Sequence, residues 1–144
     1  GAPLLTQAVD ICARFSAGNL LRLQKALAGL HPVHRMTPDR RPLQLTADSR
    51  RGLKNLYLST EWGVLDCLGS VAGLGDYAAV LENSLKVDLG VGTCRILSLA
   101  ALIKSKKAMD RPRDREALLL LKAIREAQAR RVSRPARRSI HGRG

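Results

Sequence analysis

Two apolar runs joined by three residues, 55–59 (NLYLS) and 63–69 (GVLDCLG), constrain the fold of this chain more than any other stretch. Side chains alternate between the faces of a strand, so the runs read as adjacent strands, with Thr60, Glu61 and Trp62 as the turn between them. In the second run Val64, Asp66 and Leu68 share one face, and Leu65 and Cys67 share the other. A carboxylate in a strand that is otherwise apolar needs a reason, because burying a charge without a partner is costly. Asp66 is therefore partly exposed at the sheet rim, satisfied by an arginine or backbone donors, or a ligand position.

A second acidic strand lies near the start. Residues 9–15 (VDICARF) alternate so that Val9, Ile11 and Ala13 take one face while Ala8, Asp10 and Cys12 take the other. Ser16 is an N-cap residue type, and Leu20, Leu21, Leu23, Leu27 and Leu30 recur at helical spacing over residues 19–30. From 31 to 54 the pattern is lost. Pro32, Pro38 and Pro42 break regular structure, basic residues outnumber acids, and residues 42–45 are the one short run that reads as an edge strand. His31 and His34 have no third ligand nearby in sequence, so they read as solvated loop histidines.

Beyond the two central strands, Asp76 is placed to cap a short helix through Glu82. Residues 85–89 and 94–97 read as a hairpin around Gly90, Val91 and Gly92. Ser98 opens a helix with Leu99, Leu102 and Ile103 on its apolar stripe. Residues 110–114 break that helix, and Asp114 caps a last one over 115–129, with Leu118, Leu119, Leu121 and Ile124 as core residues. The order of elements implies an α/β (α+β) domain with a small mixed sheet flanked by helices.

Composition bounds the rest. Hydrophobic residues make up 45% of 144, enough for one domain with a real core, while aromatics are only 3%, which argues against base-stacking platforms. The net charge of +13 favours an anionic partner. About half of that excess lies in residues 130–144, which read as a basic disordered tail after a domain spanning 1–129. Cys12, Cys67 and Cys94 sit in apolar runs without metal-site spacing, as buried reduced thiols of a cytoplasmic protein would. No apolar run approaches the length of a membrane span.

Taken together, the strand VDIC, the stretch STEWGVLDCLG, and the hairpin leading into CRILSLAALIKSKKAMDRPRD resemble the nucleotidyltransferase-fold superfamily, close to its small abortive-infection-toxin-like members. The resemblance covers about residues 5–126. It implies Mg²⁺-dependent transfer of a nucleotidyl group from a nucleoside triphosphate to RNA or protein, in a toxin–antitoxin setting. Members carry an Asp-x-Asp pair on one strand and a third acid on another, because convergent carboxylates hold the cations that neutralise charge on the reacting phosphates. By this resemblance Asp10 matches the second acid and Asp66 the third, both as catalytic metal ligands, while Lys106 and Arg111 match substrate-binding basic positions. The first acid falls on Ala8, whose methyl cannot ligate, and the phosphate-binding turn falls before residue 1. The alternative expectation is a noncatalytic basic module that binds nucleic acid or protein through residues 35–54 and the tail.

Overall fold

Apolar residues at every second position of three strands, and at helical spacing in the segment between the first two of them, give this chain a sheet with one helix-covered face. The computed structural model describes residues 8–46 and 48–134. Its elements in chain order are β1 (Ala8–Cys12), α1 (Ala17–Leu27), a 3-10 turn (Ala28–Leu30), β2 (Val33–His34), β3 (Asn55–Thr60), β4 (Gly63–Leu68), β5 (Ser70–Val71), β6 (Gly75–Asp76), α2 (Tyr77–Glu82), β7 (Ser84–Asp88), β8 (Thr93–Leu97), α3 (Leu99–Met109) and α4 (Pro112–Val132). The expected α+β class is what forms.

Four strands make the main sheet in the order β1-β4-β3-β2. β1 runs parallel to β4, whereas β3 is antiparallel to both of its neighbours. One face carries the core: Leu20 from α1, Leu56 and Leu58 from β3, Cys67 from β4, and Leu43 from the loop after β2. Ile11, Phe15, Leu23, Leu27 and Leu65 pack against this cluster. Complete burial pushes the Cys67 thiol up to about 11, with the neighbouring Asp66 charge adding to the shift. A thiolate is the reactive form, so Cys67 should resist iodoacetamide in the native protein at pH 8 and alkylate only in denaturant, as followed by mass spectrometry. All three cysteines are free, and Cys12 and Cys94 are only half-buried.

Several expectations change in detail. The sheet edge in the proline-broken loop is β2; residues 42–45 contribute a single bridge, Pro42 to Val33, together with the buried Leu43. The β7–β8 hairpin forms a two-stranded sheet of its own rather than joining the main one. Ser16 occupies the N-cap of α1 without a side-chain cap bond, whereas Asp76 and Ser98 do cap α2 and α3. Trp62 stands in the turn between β3 and β4 and is 86% exposed. Gly73 has φ +78, and a Cβ there would lie 2.8 Å from that of Ala108, so the turn before β6 presses closely on α3.

The last helix departs most. It begins at Pro112, where proline suits the first helical position, with Arg111 as N-cap; Asp114, at the third position, accepts from the Arg111 N–H and donates its own N–H to the Arg111 carbonyl. It continues through Val132, so residues 130–132 of the expected tail are helical and Ser133 is the C-cap; residues 135–144 of that tail lie outside the described residues. Leu118 and Leu121 are half-buried, but Leu119 and Ile124 are exposed and not part of a core.

Candidate functional site

The face of the main sheet opposite α1 carries a polar row between apolar ones, and strand register decides which of its side chains meet. β1 and β4 pair with Asp10 directly beside Asp66, and β3 and β4 pair with Tyr57 beside Asp66. Paired residues point to the same side of a sheet, with adjacent strands about 4.8 Å apart. Asp10, Asp66 and Tyr57 therefore form one row across three strands. The two sequence-predicted acids do share a face and are neighbours.

Asp66 is not left open, however. The residue after β2, Arg35, continues the pairing by donating its backbone N–H to the Tyr57 carbonyl at 3.0 Å. Its guanidinium then lies over the Tyr57 ring, 5.3 Å from the centroid, and reaches Asp66. Nη2 donates to both carboxylate oxygens at 2.7 and 2.6 Å, and Nε donates to Oδ1 at 3.1 Å. With 28% and 13% of their side chains exposed, the two partners are largely withdrawn from water, where such bonds are strong. These bonds to Asp66 raise the Arg35 pKa above its ordinary value against the opposing effect of burial.

Asp10 is exposed and makes no hydrogen bond or ion pair among the described residues. Its charge is felt by two arginines, Arg35 and Arg111, each of which is held mainly by another carboxylate. Ala8 lies two residues earlier on the same face and presents a methyl group there.

Lys106 and Arg111 converge on Asp114, which is 1% exposed. Arg111 donates Nε to Oδ2 at 2.6 Å, Nη2 to Oδ1 at 3.2 Å and its own backbone N–H to Oδ2 at 3.1 Å. Lys106 Nζ stands 3.4 Å from Oδ1. The Arg111 side-chain bonds hold the Asp114 carboxyl at about 2 although burial pushes it upward. The two basic positions thus serve first to neutralise a buried acid at the start of α4.

Mg²⁺ takes oxygen ligands in octahedral geometry and keeps several waters, so two carboxylates side by side would be a reasonable beginning of a site. The donor set here does not fit. Both oxygens of Asp66 face a guanidinium, Ala8 offers no donor, and among the described residues no group of three His, Cys, Asp or Glu side chains could hold a metal ion. His31 and Glu61 pair with each other at 2.7 Å on the surface, so neither completes a centre.

Just past the acidic row, at the end of β1, an open cleft of about 540 Å³ is lined by Cys12, Arg14, Ser16, Asn19, Arg22 and Tyr77. Arg14 lies 5.4 Å from the centroid of the Tyr77 ring. Alternation placed Asp10 and Asp66 on their faces, but Arg35 was hidden in an aperiodic segment. The unpaired strand carboxylate together with a nearby basic loop was the signal that could have found it.

No helix among the described residues is long and apolar enough to cross a membrane. No protein-family model matches the chain, and no curated protein matches it in sequence.

Proposed function

We propose that this chain is a nucleotidyltransferase-like domain whose acidic row no longer catalyses nucleotidyl transfer. One observation carries the reading: Asp10 and Asp66 stand side by side on one sheet face, and a guanidinium occupies both oxygens of the second. Adjacent carboxylates on neighbouring strands are what phosphoryl-transfer chemistry requires for gathering cations. Arg35 supplies a fixed positive charge in the position that a cation would take and cannot be deprotonated to release the acid. A fixed guanidinium can attract a phosphate but cannot activate an attacking hydroxyl. Nucleoside triphosphate is the ligand class for this face, and RNA or protein the ancestral acceptor class, consistent with a toxin–antitoxin lineage.

The test is Mg²⁺-dependent labelling of cellular RNA and protein by each α-labelled nucleoside triphosphate. The wild-type chain should transfer no label; label dependent on Asp66 would sink the proposal of a silent site. The lineage is tested separately with an Ala8→Asp/Arg35→Ala variant, titrated with Mn²⁺ by electron paramagnetic resonance. It should bind at least tenfold more tightly than wild type, and no gain would remove the support for a former metal site.

A second reading, a noncatalytic basic binding module, is favoured by the cations at the exposed end of α4.

A further inference from the structure

α4 is longer than the element that supports it. It has 21 residues against 11 in α3, so at about 1.5 Å per residue it outruns its neighbour by roughly 15 Å. Packing against α3 uses the first half, where Asp114 is buried and Ala117, Leu118 and Leu121 are half-buried. From Ala123 to Arg134 every residue is exposed. Exposed helical residues without tertiary cover contribute little to stability, so this length calls for a different explanation.

Its charge supplies one. Lys122, Arg125, Arg130 and Arg131 stand on this end of the helix, Arg134 follows just past its C-cap, and Glu126 is the only acid from 123 to 134. None of the five cations has an acidic partner among the described residues. Four arginines elsewhere in the chain, Arg35, Arg41, Arg111 and Arg115, each hold a carboxylate. The helical repeat puts Lys122 and Arg125 on one flank, with Arg130 and Arg131 on another roughly 160° away.

We infer that the end of α4 together with the residues just past it, 122–134, is an arm that docks in the major groove of a B-form DNA duplex. That groove is about 12 Å wide, admits an α-helix, and is bordered by a phosphate strand on each side. Cations on two opposed flanks match those two borders. The deep, narrow major groove of A-form RNA does not admit a helix in this way. A membrane surface calls for basic and apolar residues on separate faces, whereas here Ile124 and Val132 are interleaved with the arginines. The arm is independent of the acidic row on the sheet, so it stands whether or not the nucleotidyltransferase reading does.

The experiment uses the full chain and fluorescence anisotropy with a short labelled DNA duplex over a KCl series. The RNA duplex of the same sequence and phosphatidylserine vesicles are the competing ligands. DNA should bind most tightly. Substituting Arg125, Arg130, Arg131 and Arg134 by glutamine should weaken binding at least tenfold and lower the salt slope by roughly three to four, because each phosphate contact contributes about 0.9. Arg40→Gln/Arg51→Gln/Lys54→Gln/Lys86→Gln removes the same charge elsewhere and should leave the slope unchanged. Ala127→Pro keeps every charge but breaks the helix, and should cost about as much as the quadruple arm variant. Circular dichroism and urea midpoints confirm that the variants fold, which is expected because the substituted side chains lie outside the core. Equal losses in the two quadruple variants, an unaffected Ala127→Pro protein, or tighter binding of RNA or vesicles would each overturn the inference.

Discussion

Asp114→Ala should lower the stability of this chain by about 3 kcal/mol, read as a shift in the urea midpoint. The side chain is 1% exposed and accepts bonds from Arg111 and Lys106 as well as from the backbone N–H of Arg111. Breaking a buried ion pair costs about 3–5 kcal/mol when the remaining charge is trapped. Arg111 and Lys106 keep 42% and 33% of their side chains in water, so they rehydrate in part and the loss falls at the lower end. About 1 kcal/mol of that figure is the lost bond to the Arg111 N–H at the helix start. Asp114→Asn keeps an acceptor for the Arg111 amide and should cost roughly half as much.

The acid dependence follows from the same contacts. The folded protein holds the Asp114 carboxyl at about 2, below its ordinary 3.8. A lowered pKa means the folded state favours the ionised form, so its stabilisation is complete above the ordinary value and is lost as pH falls through the folded one. The stability gap between wild type and Asp114→Asn should therefore be constant from pH 7 to about pH 4 and close towards pH 2. A gap that remained at pH 2 would mean the carboxylate charge is not what stabilises the turn.

Arg35→Ala should be the second most damaging change, at about 2 kcal/mol, since it leaves the largely buried Asp66 without its partner. Arg35→Lys should recover little, because lysine can neither form the two-oxygen contact nor stack as a plane on Tyr57. Arg35→Ala/Asp66→Asn should be more stable than Arg35→Ala alone, because the stranded charge is gone. A double variant no more stable than the single one would assign the loss to Tyr57 packing rather than to the ion pair.

Alternation in residues 55–69 was enough to locate β3, β4 and the face on which Asp66 lies, because period two has only one consistent assignment there. Which strand would sit beside β4 was not legible: the parallel pairing of β1 with β4 depends on α1 covering the other face. Asp114 was read as an N-cap because it precedes an apolar run; Pro112, at the first helical position, was the better marker of the start. Leu119 stands about 100° round the helix from Leu118, off the side that packs, and Ile124 lies in the half of α4 where every residue from Ala123 on is exposed. Arg35 has no pattern to follow, and its partner is 31 residues away in sequence.

The pairing of residues 8–12 with 64–68 also has a kinetic meaning. β3 with β4, β7 with β8, and α3 with α4 are all joined by short turns, so each can form soon after its residues collapse. β1 must close a loop of more than fifty residues before it gains a single contact with β4, and such closures set the pace of folding. Until then the edge of β4 is unpaired and Asp66 has no acidic neighbour. Sequence separation thus predicts that the acidic row is the last part of the sheet to assemble, leaving that edge open in the interval to any other chain with a free strand.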